Sequence, residues 1–234
     1  MSERGLCSRR EADELIAKGL VSVDGKVVDQ LGTRVLPDVR IDIAASAQRK
    51  LDQKVTILLN KPKNYVSAQP EDGYRTAMEL ILEGNQDPED ELRFRPSHRA
   101  GLAVAGRLDI DSQGLLVFTQ DGVIAKLLIG ENSDVEKEYI VRVAGQLTAA
   151  QLKSLTDGSI VIEGRRLRPA LVEWINEDQL RFVLKEGMKR QIRKMCETVG
   201  LRALGLKRVR IGKVMLGHLP EGKWRYLRKD ESFA

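Results

Sequence analysis

The 234-residue sequence has two cysteines, Cys7 and Cys196, and two histidines, His98 and His218. The cysteines lie far apart and form no CxxC, so no Cys/His zinc site is expected and no bound metal is predicted. No apolar run approaches the roughly 20 residues that span a bilayer, and the N-terminus is charged rather than signal-like. A reducing, cytoplasmic setting without membrane attachment is the expectation. Internal repeats, low-complexity tracts and cofactor motifs are also missing, so no cofactor is expected.

Charge is plentiful and unevenly spread. Residues 181–229 carry fifteen Lys/Arg against Glu186, Glu197 and Glu221, a local net of +12 in a chain of net +5. The first 180 residues sum to −5. A basic region on an otherwise mildly acidic chain is the footprint expected for a phosphate backbone. The length suits a small domain followed by a medium one of about 180 residues, large enough to fold without staples.

Ser8-Arg9-Arg10-Glu11 has the spacing of a capping box. Ala12, Leu15, Ile16 and Leu20 follow at helical spacing, and Gly19 suits the stop. Asp24-Gly25 between two β-prone triplets predicts a tight hairpin. Residues 40–43 read as extended and the polar stretch 46–53 as a linker. Beyond it, strands are predicted over 55–59, 104–108, 115–119, 138–144, 158–163, 170–175, 179–185, 206–214 and 224–227. Helices are predicted over 76–82, from an Asp121 cap through Leu128, from Thr148 through Leu155, and over 189–199. Strands and helices mix without a βαβ rhythm, which favours the α+β class.

Gly106-Arg107-Leu108-Asp109-Ile110-Asp111-Ser112-Gln113-Gly114 places two carboxylates in a turn between apolar strands. A calcium loop does not fit, because its twelfth position would be Gln120 and its flanks are strand-like. A glycosidase pair does not fit either, since those carboxylates sit roughly 5–10 Å apart across a sugar, usually on different elements. An ordinary acidic turn is the remaining reading of the residues alone.

The wider sequence changes that balance. Gly106 to Gly114 resembles the G-R-L-D-x-x-[TS]-x-G signature of RsuA-type RNA pseudouridine synthases. Lys61-Pro62 fits that family's K-P motif, with Asn64 where glycine is usual. Lys137-Glu138-Tyr139 fits its K-x-Y motif, and 184–195 fits L-x-E-G-x-x-x-Q-[IV]-R-[RK]-M. Residues 219–225 also look family-like. In front, Cys7 to Asp13 and the Val-Ser-Val-Asp-Gly-Lys hairpin resemble an S4 RNA-binding domain. That pattern usually begins about ten residues earlier, so its start looks truncated. Residues 1–45 are not net basic either, with seven Lys/Arg against eight Asp/Glu.

The resemblance implies an S4-type domain over 1–45, a linker over 46–53 and a catalytic domain over 54–234. The latter would be a large, mainly antiparallel mixed sheet with flanking helices. It implies Asp109 as nucleophile, Arg193 as its ion-pair partner, Tyr139 stacking on the target base, and Arg107 contacting or replacing the flipped nucleotide. Asp111 would only stabilise the turn. RNA contacts are expected from Arg9, Arg10, Lys61, Lys189, Arg190 and Lys194, with Lys61 at the mouth of the site. Similarity is greatest to the large-subunit RluB/RluF group, which favours 23S ribosomal RNA over 16S, with tRNA as an alternative and a monomer as the working form. A non-catalytic RNA-binding or ribosome-assembly protein is the rival of a different class.

Overall fold

The computed structural model describes residues 1–70 and 73–234. Helix α1 (Arg9–Ala17) begins at the anticipated capping box, in which Glu11 N donates to Ser8 Oγ at 3.3 Å and Ser8 N to Glu11 Oε2 at 2.9 Å. Gly19, at φ +64°, ends it. Strands β1 (Val21–Val23) and β2 (Lys26–Val27) form the hairpin, with Asp24 at φ +49° and Gly25 at φ +80°. Two left-handed residues match the right-handed strand twist. Strand β3 (Ile41–Ile43) adds to the other side of β1.

The stretch read as a linker is a helix, α2 (Ala45–Asp52), which buries Ala47. Its polarity suggested a loop. Ala, Gln, Arg, Lys and Leu are strong helix formers, however, and neither Gly nor Pro interrupts them.

The rest builds on one sheet. Its strands are β4 (Thr56–Lys61), β7 (Ala103–Val104), β8 (Gln113–Thr119), β9 (Lys137–Ala144), β12 (Leu171–Asn176), β13 (Gln179–Leu184), β14 (Arg202–Ile211), β15 (Val214–Met215) and β16 (Trp224–Tyr226). Short pairs lie outside it: β5 (Tyr65–Val66) with β6 (Arg75–Thr76), and β10 (Val161–Ile162) with β11 (Arg165–Arg166). The nine-stranded sheet runs β12-β13-β9-β14-β8-β4-β16, with β15 on β14 and β7 on β8. Its one parallel pairing joins β14 to β8, and the others are antiparallel. The α+β expectation therefore holds, with an S4-type unit in front.

Both faces of the central strands are covered. Ile57, Leu59, Leu116 and Phe118 pack with Val141, Phe182 and Trp224 beneath helices α4 (Ala149–Thr156) and α5 (Gln191–Thr198). Leu58, Leu115 and Val117 alternate onto the opposite face, where Leu128 of α3 (Gly122–Ile129) meets them. The period of two with both faces apolar explains why these strands read as continuous hydrophobic runs. Among the described residues no helix is long and apolar enough to cross a membrane.

Other predicted elements also differ from the fold: the 158–163 strand pairs only at Val161–Ile162, and the 206–214 strand breaks into β14 and β15. The helix at 76–82 shrinks to a 3₁₀ turn at Ala77–Leu80. Of the 104–108 segment only Val104 is strand, paired together with Ala103, because the chain turns at Gly106 (φ +100°). Strand β14 starts at Arg202, earlier than expected, since a β-bulge between Ala203 and Gly205 breaks the two-residue alternation there.

Candidate active site

The turn holding Asp109 hangs between β7 and β8, and its backbone is fixed from every side. Ser67 Oγ donates to Leu108 O at 2.6 Å and accepts from Leu108 N at 2.8 Å. Asn64 N donates to Ile110 O at 2.8 Å, and Ser112 N to Asp109 O at 3.1 Å. Arg208 joins both ends of the segment, donating from Nη2 to Gly106 O at 3.0 Å and from Nε to Leu115 O at 2.7 Å. A loop pinned at this many backbone groups holds its side chains in one orientation.

Two glycine positions make the same point. Asn64 has φ +65°, so the position where the family pattern has glycine does require a left-handed residue, and Asn is the side chain that best tolerates it. Gly114 lies where the parallel β8–β14 pair approaches closely. A Cβ there would stand 2.3 Å from Arg208 O.

Lys61 is not at the mouth of the site. It is fully buried beneath the turn and donates to Ser112 O at 2.9 Å and Pro62 O at 2.8 Å. Burial pushes its pKa down to about 8, against the opposing pull of Asp111 and Asp109. A side chain sealed in this way cannot reach a phosphate. Its motif position signalled support of the loop rather than contact with RNA.

Asp109 is half-buried, and its carboxylate takes no hydrogen bond or ion pair among the described residues. It lines a cavity of about 320 Å³ together with Arg107, Lys137, Tyr139, Arg193 and Arg208. Tyr139 comes from β9, with the Arg208 guanidinium 6.0 Å from its ring centre. Arg107 is exposed at the cavity edge.

The expected pair of Arg193 with Asp109 is not formed. Arg193 Nη2 lies 2.9 Å from Asp111 Oδ2, and Nη1 donates to Ala203 O at 3.1 Å. Arg190 adds a longer contact to the same carboxylate at 3.5 Å. The reason is local: Asp111 faces the start of α5 and offers its backbone oxygen as well, at 3.4 Å from Arg193 Nη2. Asp111 therefore ties the turn to α5. The buried Arg193 Nε has no partner among the described residues.

The remaining candidates divide by exposure. Arg9 and Arg10 stand exposed at the start of α1, and Lys189 and Arg190 lead into α5. Helix α5 begins at Gln191, later than predicted, because Arg190 adopts φ +55°. Lys194 is half-buried and paired with Glu163 on the β10–β11 hairpin, so it is not a free cation. Sequence reading missed Arg208, which is 3% exposed. The available signal was its register: a strand's two-residue period puts it on the same buried face as Leu206. Lys137 entered only as a motif letter, although the same period places it beside Tyr139.

Residues 55–198 match the family model described as RNA pseudouridylate synthase, and residues 1–41 match the S4 domain. The dual-specificity RNA pseudouridine synthase RluF of Escherichia coli (strain K12) is 35% identical over 233 residues, covering 99% of this chain and 74% of that one. A chloroplast protein of Arabidopsis thaliana, named as a ribosomal large subunit pseudouridine synthase (SVR1), is 34% identical across 99% of this chain and 58% of its own. A crystal structure of a pseudouridylate synthase shares the fold with a TM-score of 0.66 at 24% identity, covering 95% of this chain and 91% of that one. With the signature turn, the S4-type unit and near full-length similarity in agreement, the chain belongs to the RNA pseudouridine synthase family.

Proposed function

We propose that this enzyme isomerises specific uridines of ribosomal RNA, 23S favoured, with Asp109 as nucleophile, working as a monomer in the cytoplasm. The observation that carries this reading is a carboxylate without an internal partner, held on a rigid turn and facing a cavity that also receives Tyr139. The reaction breaks the N1–C1′ bond, turns the base, and bonds C5 to C1′. The C5 proton leaves and N1 takes one up, so no redox step or external group is needed. A carboxylate nucleophile suffices once the base has left its stack.

In this reading Tyr139 stacks on the flipped base and assists loss of the C5 proton. Arg107 contacts the extruded nucleotide or fills the space that it leaves. Arg193 holds the turn through Asp111 in the free protein and supplies positive charge beside the nucleophile. Lys189 and Arg190, with Arg9 and Arg10 on the S4-type unit, contact phosphates and position the RNA. The name of the Arabidopsis relative supports the ribosomal large subunit, and the dual specificity in RluF's name supports a second class of RNA such as tRNA.

Asp109→Asn tests the core of the proposal. Pseudouridine formation on unmodified 23S transcript should fall below about one-thousandth of wild type, with RNA affinity within a few-fold. Retained modification would remove Asp109 from the mechanism and favour a purely RNA-binding role. Release of free uracil would point to glycosidic hydrolysis instead of isomerisation. Comparing pseudouridine maps of cells with and without the protein identifies the target.

A further inference from the structure

Lys137 stands in the candidate cavity without a balancing partner. It opens β9 two residues before Tyr139, so the strand period puts both side chains on one face, and both line the cavity. Its ammonium makes no hydrogen bond or ion pair among the described residues. Lys61, the lysine of the K-P motif, is sealed against two carbonyls, so the two lysines do different work.

The charged groups around Lys137 come from several elements. Arg208 of β14 directs its donors to the backbone carbonyls of the Asp109 turn, not to a carboxylate. Arg168, beyond β11, is held by Asp134, and Arg165 by Glu186. Glu186 also accepts from Gln191, and Lys185 and Glu131 are exposed at the cavity edge. Asp109 and Arg107 enter from the turn, and Arg190 and Arg193, both held by Asp111, from the start of α5. Burial, Arg208 and Arg168 together push the Lys137 pKa down to about 8. Besides the exposed Arg107 and Lys185 at the edge, the half-buried Lys137 and the buried Arg208 thus share one confined site with no carboxylate partner. Crowding like charges away from water costs free energy until an anion arrives.

We propose that Lys137 binds the phosphodiester attached to the target uridine, forming an anion subsite inside the cavity. This rests on reading the cavity as the uridine site. A backbone phosphate fits better than the base, because it is anionic before any chemistry occurs and Arg168 and Lys185 line the same cavity. At about 320 Å³ the cavity is at the small end for ligand pockets, suited to one nucleotide.

The test compares equilibrium binding of uridine and uridine 3′,5′-bisphosphate between about pH 7.5 and pH 9.5. At the lower pH the bisphosphate should bind wild-type protein more tightly than uridine. Lys137→Met should cut that advantage about tenfold, and Lys137→Arg should keep it within about threefold. In wild type the advantage should shrink as pH rises past 8, because the ammonium loses its proton. In Lys137→Arg it should stay flat, since guanidinium remains charged. An unchanged advantage in Lys137→Met overturns the subsite. So does a loss confined to kcat on unmodified 23S transcript, which would place Lys137 on the base. If Lys137→Met does not fold, the Lys137→Arg and wild-type pH series decide alone. A wild-type protein that shows the Lys137-dependent advantage yet forms no pseudouridine would retain the subsite and refute the catalytic reading.

Discussion

Lys61 and Arg208 illustrate how a charged side chain is used as a structural strut. Each is buried, and each spends its donors on carbonyls of the segment that carries Asp109. For Lys61 the cost is visible in its pKa of about 8, lowered first by burial. Its unfolded value is near 10.5. Between those values the unfolded chain binds a proton that the folded chain lacks, so stability rises with pH. Below about pH 8 both states are protonated and the burial penalty is fully present. Lys61→Met should therefore remove part of the rise between pH 8 and 10.5, a contribution of at most about 3 kcal/mol, in denaturant titrations across that range. Because Lys137 titrates in the same window, part of the rise should persist in Lys61→Met and be lost in the double variant, where the raised pKa values of Cys196 and Tyr226 leave stability falling with pH. Activity should fall in Lys61→Met at every pH, because Ser112 O and Pro62 O lose their donor and the turn loosens. An unaltered slope in the single variant would show that Lys61 titrates normally.

At the level of elements, the sequence was most informative where local chemistry decides. The Ser8 and Thr148 capping boxes, the Asp121 cap and the Asp24-Gly25 hairpin all formed as their residue types dictate. It was least informative where distant segments meet. The parallel contact of β8 with β14 brings Gly114 against Arg208, residues far apart in sequence, and no local pattern announces it. Gly114→Ala should destabilise the protein by more than about 3 kcal/mol or prevent folding. Its Cβ would collide with backbone at a position whose φ of +106° alanine does not accept. Gly84→Ala is the control, with nothing within 4 Å of the new Cβ, and should stay within about 0.5 kcal/mol. The start of α5 shows the opposite case. Arg190 holds φ +55° without a side-chain cap, strain of roughly 1 kcal/mol that glycine would relieve. Arg190→Gly should raise thermal stability and weaken RNA binding together. A stabilised variant with unaltered affinity would show that the Arg190 side chain does not touch RNA.

Across the whole molecule, the fold redistributes the charge that composition first revealed. The local net of +12 over residues 181–229 suggested a broad cationic surface. Much of it is answered by carboxylates from elsewhere in the chain. Glu138 and Glu173 hold Arg181, Glu136 and Glu138 hold Arg210, Asp111 holds Arg193, Glu163 holds Lys194, and Glu231 holds Arg225. Sequence counting could not see most of these pairs, because all but Arg225 with Glu231, six residues apart, join segments brought together by the fold. Basic composition therefore served the fold as well as the surface, and the cations left for RNA are fewer than the count implied. Lys185 and Lys189 are exposed and have no ion-pair partner among the described residues. Each phosphate neutralised on binding steepens the salt dependence of affinity, by about 0.7–0.9 in the slope of log K against log salt. Reversing both lysines to glutamate should lower that slope by about 2, measured on unmodified 23S transcript between low and moderate salt. Lys194→Met, which removes a cation already paired with Glu163, should leave the slope unchanged within about 0.3. If the paired lysine alters the slope as strongly as the exposed pair, ion pairing within the fold does not decide which charges RNA meets.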